Sequence, residues 1–196
     1  MGTTNGENAL KKNDGCCFIC SNTKSDRFTK VYRRCLNCGH EVLVSTGEQG
    51  FIINDNLSEK EVRRVTNLDR FKARILATFD NKIMKKKLLD IGSASGKFLY
   101  HNAGYYSRAI GIEITSESLA FSRQVLGLDI VETIESVPDE ISIATAWHSL
   151  EHIPEPQLMS LLEVLGNKMV IGGRLIVSVP NGASRQYRWF GSSYAY

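Results

Sequence analysis

Cysteine spacing near the start of the chain points to a metal site. All five cysteines lie in the first fifth of the sequence, and four of them form two Cys-x-x-Cys pairs separated by fourteen residues: Cys17 with Cys20, and Cys35 with Cys38. Two such pairs are typical of structural zinc, because each short loop places two thiolates on one ion and four soft ligands complete a tetrahedral shell. We therefore predict Zn²⁺ bound by these four thiolates. Two alternative ligands stay open: Cys16 in place of Cys17, and His40 in place of Cys38.

The cysteine-rich segment is too short to fold on a hydrophobic core alone. A metal ion would supply the missing stability, which is about 10–16 kcal/mol in zinc-finger peptides. The segment resembles the zinc ribbons, and its apolar residues 28–32 and 42–44 are the expected strands. The segment also contains five basic residues: Lys24, Arg27, Lys30, Arg33 and Arg34. They could contact phosphates, but basic residues on a small domain more often form a solvated face, so nucleic acid is not the favoured partner.

A glycine turn in the middle of the chain forms a second candidate site. Residues 88–91 are a short apolar run that suits a buried parallel strand, and Gly92 and Gly96 bound the turn that follows it. Glycine lets the backbone turn sharply and approach a ligand closely, while the next helix begins with unpaired N–H groups. The dinucleotide fingerprint Gly-x-Gly-x-x-Gly is not met, because Ala94 stands at its middle glycine.

Two acidic residues beside this turn indicate the chemistry of its ligand. Glu113 stands near the end of a second apolar run, 109–114, about twenty residues after the turn, where a carboxylate can accept both hydroxyls of a ribose. Asp90 comes immediately before the turn, where its charge would repel a phosphate and attract a cation. The sequence therefore predicts a cationic ligand that contains a ribose.

Four motifs in order resemble the class I S-adenosylmethionine-dependent methyltransferases. Residues 89–96 look like the first motif of that family, residues 144–154 like its fourth-strand motif, and residues 172–181 like its fifth strand and the preceding turn. The acid at the end of the second strand is the remaining motif. The likeness covers about residues 86–181 and implies methyl transfer from S-adenosylmethionine to a small-molecule oxygen, carbon or nitrogen acceptor.

The resemblance also implies the residues of the cofactor site. In the family the glycine turn holds the methionine part of the cofactor and the second-strand acid holds the ribose, which assigns these roles to Gly92, Gly96 and Glu113. The expected site is completed by residues beside these positions and after the third strand: Asp90, Ser93, Ala94, Ile114, Thr133 and Ile134.

Recognition of the adenine is where the chain departs from the family pattern. The family often has an acid after the third strand that reaches the adenine amino group, and Thr133 occupies that place here. Glu132 and Glu135 are the alternative acids.

The segment His148-Ser-Leu-Glu151-His152 matches the His-x-x-Glu-His signature of a class of metalloproteases. That motif requires a helix, whereas a strand-like run precedes it here and Pro154 and Pro156 follow, so we reject a protease. Under the resemblance, His148 or His152 lies beside the reacting sulfonium and could accept a proton from the acceptor. Two alternatives stay open: hydrogen bonds that only fix the loop, and a divalent metal held by Glu151 and His152, as in some quinone O-methyltransferases of the family.

Strands and helices alternate around these motifs. Helices are expected at residues 117–126, after an N-cap at Thr115, and at residues 158–165, between Pro156 and a stop at Gly166. This alternation predicts an α/β fold with a Rossmann-like, mostly parallel sheet, helices on both faces and a ligand at the carboxyl ends of the strands. Five strands are recognisable, whereas the resembled fold adds two more after them.

A helical connector is expected between the cysteine-rich segment and the first parallel strand. Ser58 and Glu61 have the spacing of a capping box, and Asn67 divides the run that follows into two helices. Seven apolar residues recur at helical spacing, which predicts a packing role, with a lid over a neighbouring site as the alternative. They are Val62, Val65, Leu68, Phe71, Ile75, Leu76 and Phe79.

Composition limits the other functions open to the chain. The 196 residues are 42% hydrophobic and 23% charged with a net charge of +3, which is globular and too balanced to indicate a nucleic acid or membrane partner. No apolar run approaches the ~18 residues of a membrane span and the N-terminus is polar, so we expect a cytoplasmic protein.

Four regions follow from these motifs: a disordered tail at 1–15, a zinc ribbon at 16–45, a helical connector at 46–84 and an incomplete methyltransferase domain at 85–196. Because the family's last two strands are missing, we expect a C-terminally truncated chain, or one whose open sheet edge is completed by a partner or a second copy. The alternative function is a noncatalytic zinc-ribbon protein that binds RNA or protein and carries a degenerate methyltransferase fold.

Overall fold

The structure is a computed structural model, and it describes residues 20, 25–27, 32–39, 41–43, 58–78, 86–181 and 184. The chain divides into two compact units, Met1–Ile52 and Ile53–Tyr196.

The first unit contains a small antiparallel sheet. Its three strands are β1 (Ser25–Arg27), β2 (Tyr32–Cys35) and β3 (Glu41–Leu43), with β2 in the centre. The chain turns directly after β2, where Gly39 N–H donates to the Cys35 carbonyl at 3.0 Å. A strand was expected at 42–44 and lies at β3; the one expected at 28–32 falls mostly outside the described residues.

The second unit is built on the expected five-stranded parallel sheet. In the order β6-β5-β4-β7-β8, every neighbouring pair of strands is parallel. The strands are β4 (Lys87–Ile91), β5 (Arg108–Ile112), β6 (Asp129–Val131), β7 (Ile141–Trp147) and β8 (Met169–Ser178). Because β4 lies in the middle, the turn that follows it reaches the centre of the carboxyl edge.

The described residues of this unit form five α-helices, of which α1 and α2 precede the first strand of the sheet. They are α1 (Glu59–Arg63), α2 (Asn67–Thr78), α3 (Lys97–Asn102), α4 (Ser116–Gln124) and α5 (Glu155–Lys168). Successive strand residues point to opposite faces, so Leu88 packs with α2 and α3 while Leu89 packs with α5. The two faces of the sheet therefore carry separate hydrophobic cores, as an α/β fold requires.

The connector forms two helices, as expected, and packs against α3. His101 Nε2 lies 2.7 Å from the Val62 carbonyl oxygen, and Lys97 Nζ lies 3.3 Å from Asp69 Oδ2. Ser58 is the N-cap of α1, but its hydroxyl makes no capping bond. These contacts place α2 beside the helix that follows the glycine turn.

The expected end of the last helix is wrong. Helix α5 runs through Gly166 to Lys168, because nothing at Gly166 requires a turn and its φ is not positive. The apolar series of the connector is partly buried, which agrees with a packing role for Val62 and Leu76, each 2% exposed. Three other members are about half exposed: Val65, Leu68 and Phe71.

Strand β8 lies at one edge of the sheet and exposes apolar side chains, among them Ile171 and Val177. Completion of this edge by a partner stays a prediction.

Within the described stretches, no helix combines the length and apolar character that crossing a membrane would need.

Candidate functional site

The glycine turn joins β4 to α3 at the centre of the sheet's carboxyl edge. Gly92 and Gly96 have φ values of +72° and +75°, in the left-handed region that favours glycine. A Cβ on Gly92 would collide with Ser149 Cβ, and a Cβ on Gly96 would lie 2.6 Å from Leu128 Cδ1. The glycines are therefore required by the turn and by the side chains packed against it, a reason that the sequence did not reveal.

Glu113 ties this turn to the end of β5. Its Oε2 accepts the Ala94 N–H at 2.8 Å, and its Oε1 accepts the N–H groups of Ile114 at 2.9 Å and Thr115 at 2.7 Å. The residue is only 4% exposed. An ionised carboxylate has about four lone-pair sites, so one site is left to accept a further hydrogen bond, such as one from a ribose hydroxyl.

Asp90, at the end of β4, is a buried carboxyl group on the face that carries α2 and α3. Thr145 Oγ1 on the neighbouring strand donates to its Oδ1 at 2.7 Å. Burial raises the pKa of Asp90 to about 7, against the opposing effects of the Thr145 hydrogen bond and the nearby Lys72 ammonium, while the Glu113 carboxylate raises it further. A cationic ligand group beside Asp90 would favour the ionised form.

His148 follows β7 and is held in an uncommon conformation. Its φ is +57°, and its N–H donates to the Ser178 carbonyl at 2.8 Å. The imidazole lies between two polar groups: Nε2 is 3.1 Å from Ser178 Oγ, and Nδ1 is 3.5 Å from Glu151 Oε1. Half of the His148 side chain is exposed.

The segment after His148 forms a single 3-10 turn, Leu150–His152, rather than the helix that a metalloprotease needs. Among the described residues, three cysteines lie close enough together to hold a metal ion, and neither His148 nor His152 belongs to such a group. The geometry gives no support to the metalloprotease hypothesis.

The remaining predicted cofactor residues lie in the glycine turn, directly after Glu113 and after β6. Ser93 is buried and its Oγ has no hydrogen-bond partner among the described residues. Ile114 is 85% exposed, Thr133 is exposed, and Ile134 is buried in the core on the α5 side. Contacts of these residues with a cofactor stay predictions.

Three of the four predicted zinc ligands lie among the described residues. The Sγ atoms of Cys20, Cys35 and Cys38 are all within 4.8 Å of one another, and those of Cys20 and Cys35 are 3.5 Å apart. This arrangement could hold a metal ion. Cys17 lies outside the described residues, as do the alternatives Cys16 and His40.

Sequence reasoning missed three residues that shape the site: Lys72, Thr145 and Ser149. Ser149 Oγ donates to the Ile91 carbonyl at 2.6 Å, which joins the loop after β7 to the start of the glycine turn. A signal for Lys72 was present, because it is a charged residue four positions after Leu68 and four before Leu76 in an apolar helical series.

Comparison with known proteins agrees with this architecture. Residues 61–195 match the methyltransferase domain family, which is more than half of the chain. The chain therefore belongs to this family, and its fold is that of the class I S-adenosylmethionine-dependent methyltransferases.

A curated relative is the ubiquinone biosynthesis O-methyltransferase of Aeromonas salmonicida (strain A449). The two are 27% identical in an alignment 112 positions long, which covers 52% of this chain and 46% of the relative. The chain thus spans about half the length of the curated relative it matches.

Two solved structures share the fold. A SAM-dependent methyltransferase from Archaeoglobus fulgidus is 23% identical, with a TM-score of 0.51 over 64% of this chain and 58% of that one. A SAM-bound amino pentose methyltransferase from Micromonospora echinaspora is 15% identical, with a TM-score of 0.52 over 62% and 54%.

Proposed function

We propose that this chain binds S-adenosylmethionine at the carboxyl edge of its parallel sheet and takes part in transfer of the methyl group to a small molecule. The observation that carries this proposal is the convergence of four features on adjoining strand ends: Asp90 and the glycine turn after β4, Glu113 after β5, and His148 after β7. Together they offer a carboxylate for a cation and an acceptor for a ribose hydroxyl, which are the groups that this cofactor presents.

Each predicted cofactor residue has a distinct role in this proposal. The turn from Gly92 to Gly96 lies against the methionine part, Glu113 accepts a ribose hydroxyl with its remaining lone-pair site, and Asp90 faces the cationic part. The adenine lies towards Ile114, Thr133 and Ile134.

Methyl transfer from a sulfonium is an in-line displacement. The acceptor atom forms a bond to the methyl carbon, the carbon–sulfur bond breaks, and its electron pair returns to sulfur to leave a neutral thioether. The protein mainly aligns the two reactants and excludes water. His148 or His152 takes the acceptor's proton. Support for His148 is that half of its side chain is exposed and that its ring nitrogens lie beside Ser178 and Glu151.

An oxygen acceptor is the favoured class. Support comes from the curated relative, whose name describes an O-methyltransferase, and from the His148 imidazole, a base suited to a hydroxyl proton. Carbon and nitrogen acceptors are the alternatives.

The cysteine cluster is proposed to bind Zn²⁺ through Cys20, Cys35, Cys38 and Cys17. The support is the grouping of three sulfur atoms within 4.8 Å, together with the soft character of thiolate ligands. Zinc analysis of the purified protein should give one equivalent, and Cys35→Ser should lower both the zinc content and the melting temperature. Full zinc content in that variant would contradict the ligand set.

Calorimetry with S-adenosylmethionine and S-adenosylhomocysteine tests the cofactor proposal. We expect a one-site isotherm for each ligand, and a folded, zinc-loaded protein that binds neither would refute the proposal. Incubation with donor labelled in its methyl group and a metabolite extract then shows whether the label enters small molecules. Label found only in RNA or protein would contradict the small-molecule acceptor.

A further inference from the structure

Helix α2 carries an apolar stripe on its exposed side. Leu68, Phe71 and Ile75 recur at helical spacing, which places them on one face, and Leu68 and Phe71 are each more than half exposed. Val65, in the short link before α2, is nearly half exposed as well. Single exposed apolar residues need no explanation, but three large ones on one short segment indicate a surface that contacts something apolar.

Positively charged side chains border this stripe. Arg64 directly precedes Val65, and Arg70 and Arg74 stand four residues apart on one face of α2; all three arginines are exposed. Like charges at this spacing repel each other. No carboxylate among the described residues pairs with them, and the hydrogen bond from Arg70 Nη1 goes to the neutral Asn67 Oδ1 at 3.3 Å. This side of the helix therefore presents positive charge that the chain does not neutralise.

The acidic residues of the segment are mostly engaged elsewhere. Glu59 Oε1 accepts two hydrogen bonds from Arg63, at 2.9 and 2.6 Å. Asp69 is buried and pairs with a lysine of α3, which leaves Glu61, exposed on α1. Residues 58–78 contain six basic and three acidic residues, so their net charge of +3 equals that of the whole chain. The balanced composition of the chain therefore does not reveal this local positive surface.

An exposed apolar stripe with cations beside it is typical of a helix that lies in the plane of a membrane surface. The apolar side chains enter the boundary between headgroups and acyl chains, while each arginine keeps its guanidinium at the level of the lipid phosphates. Nucleic acid would match the arginines but would leave the apolar stripe in water. We propose that this surface, the α1–α2 face, docks on a membrane surface that contains anionic lipids. The face consists of Val65, Leu68, Phe71, Arg64, Arg70 and Arg74.

Lys72 relates the α1–α2 face to the carboxyl edge of the sheet. It lies on α2 one turn after Leu68, and its Nζ is 5.0 Å from the ring centroid of Trp147, the last residue of β7. The helix that carries the face therefore also reaches the strand ends. Docking would bring the carboxyl edge close to the lipid surface whether or not that edge binds a cofactor, so the inference does not depend on the proposed function.

Sedimentation of the full, zinc-loaded chain with vesicles tests this inference. We expect binding to vesicles of phosphatidylcholine and phosphatidylglycerol, little binding to phosphatidylcholine alone, and weaker binding as salt is added. Arg74→Gln should lower the partition coefficient about fivefold, the effect of one charge near the surface. Phe71→Ser should lower it about 5- to 15-fold, because the exposed half of the phenylalanine side chain loses its apolar environment.

Two controls make the same changes on another surface. Tyr105→Ser removes an aromatic residue about as exposed as Phe71, and Arg108→Gln removes an exposed arginine. Tyr105 comes just before β5 and Arg108 begins it, so both lie at the amino edge of the parallel sheet. Each control should leave the partition coefficient within about twofold of the wild type, because a residue outside the contact adds little to it.

Other results would overturn the inference. A folded wild type that binds neither kind of vesicle, or binds both equally, would refute a contact with anionic lipids. Equal losses from Phe71→Ser and Tyr105→Ser would mean that binding is not made through the α1–α2 face. A loss in Arg74→Gln without any loss in Phe71→Ser would mean that the face recognises charge alone, and melting curves show whether each variant is folded.

Discussion

Replacement of Asp90 by Asn should stabilise the protein and change the pH dependence of its stability. Asp90 is 2% exposed, and burial raises its pKa to about 7 from an ordinary 3.8. The folded protein therefore keeps a proton that the unfolded chain loses between about pH 4 and pH 7. Since the unfolded state binds fewer protons in this range, the free energy of unfolding falls as the pH rises. An Asn side chain does not titrate, so the variant lacks this loss.

The size of the effect follows from the pKa difference. A shift of about 3 units corresponds to about 4 kcal/mol at 1.36 kcal/mol per unit. This value is an upper bound, because the Lys72 ammonium or entering water can relax around the ionised Asp90. The other charge that acts on Asp90 is the Glu113 carboxylate, which raises the pKa. For a chain of this length, 4 kcal/mol is roughly 8–16 °C in melting temperature.

Urea unfolding of the ligand-free protein at pH 5, 6, 7 and 8 measures this difference. The advantage of Asp90→Asn over the wild type should grow between pH 5 and pH 7 and then become constant. The control is Asp129→Asn. Asp129 Oδ2 forms an exposed ion pair with Arg108 Nη2 at 2.8 Å, so this variant should show no such change with pH. Parallel pH profiles for wild type and Asp90→Asn would refute the reasoning, because they would show that the buried carboxyl group keeps its ordinary pKa.

Two further substitutions test the geometry of the turn. Gly92→Ala adds a Cβ that collides with Ser149, at a residue whose φ is +72°, and we expect it to lower the free energy of unfolding by about 2–5 kcal/mol in urea. The control is Gly127→Ala, where φ is +66° and no atom lies within 4 Å of the added Cβ, so only the smaller conformational loss is expected. Equal losses in the two variants would exclude crowding as the cause. Glu113→Gln leaves one oxygen to accept the three hydrogen bonds that backbone N–H groups donate to the carboxylate. We expect the variant to lose about 1–3 kcal/mol of unfolding free energy and to bind S-adenosylhomocysteine more weakly. Unchanged stability would show that these hydrogen bonds are dispensable.

The strands of the parallel sheet were largely predictable from the sequence because their signals are local. Residues 88–91 are apolar apart from Asp90 and are followed by Gly92, and the structure places β4 at Lys87–Ile91. A strand buried on both faces needs a nearly continuous apolar run, so the pattern and the fold coincide. Helix ends are harder to predict, because a glycine can either end an element or lie within a helix. Gly92 and Gly96 adopt positive φ in the turn, whereas Gly166 lies inside α5.

Contacts between distant segments could not be read in the same way. Thr145 reaches Asp90 over 55 residues of sequence, and Ser149 reaches the Ile91 carbonyl over 58. Each contact depends on the strand order, which places β7 beside β4. The exposure of Leu68 and Phe71 is a related case, because periodicity identifies an apolar face but not how much of it meets the sheet.

The geometry also separates the residues that build the turn from those that would recognise a ligand. Gly92 and Gly96 make room for protein side chains, and most of Glu113's hydrogen-bonding capacity is used on backbone N–H groups. These motif residues would be required even if the turn served only the fold. The buried Asp90 carboxyl group does the opposite, because its ionisation costs stability in the folded chain. Under the proposed function a ligand cation offsets this cost, so the Asp90 variant should gain stability and lose affinity for S-adenosylhomocysteine together.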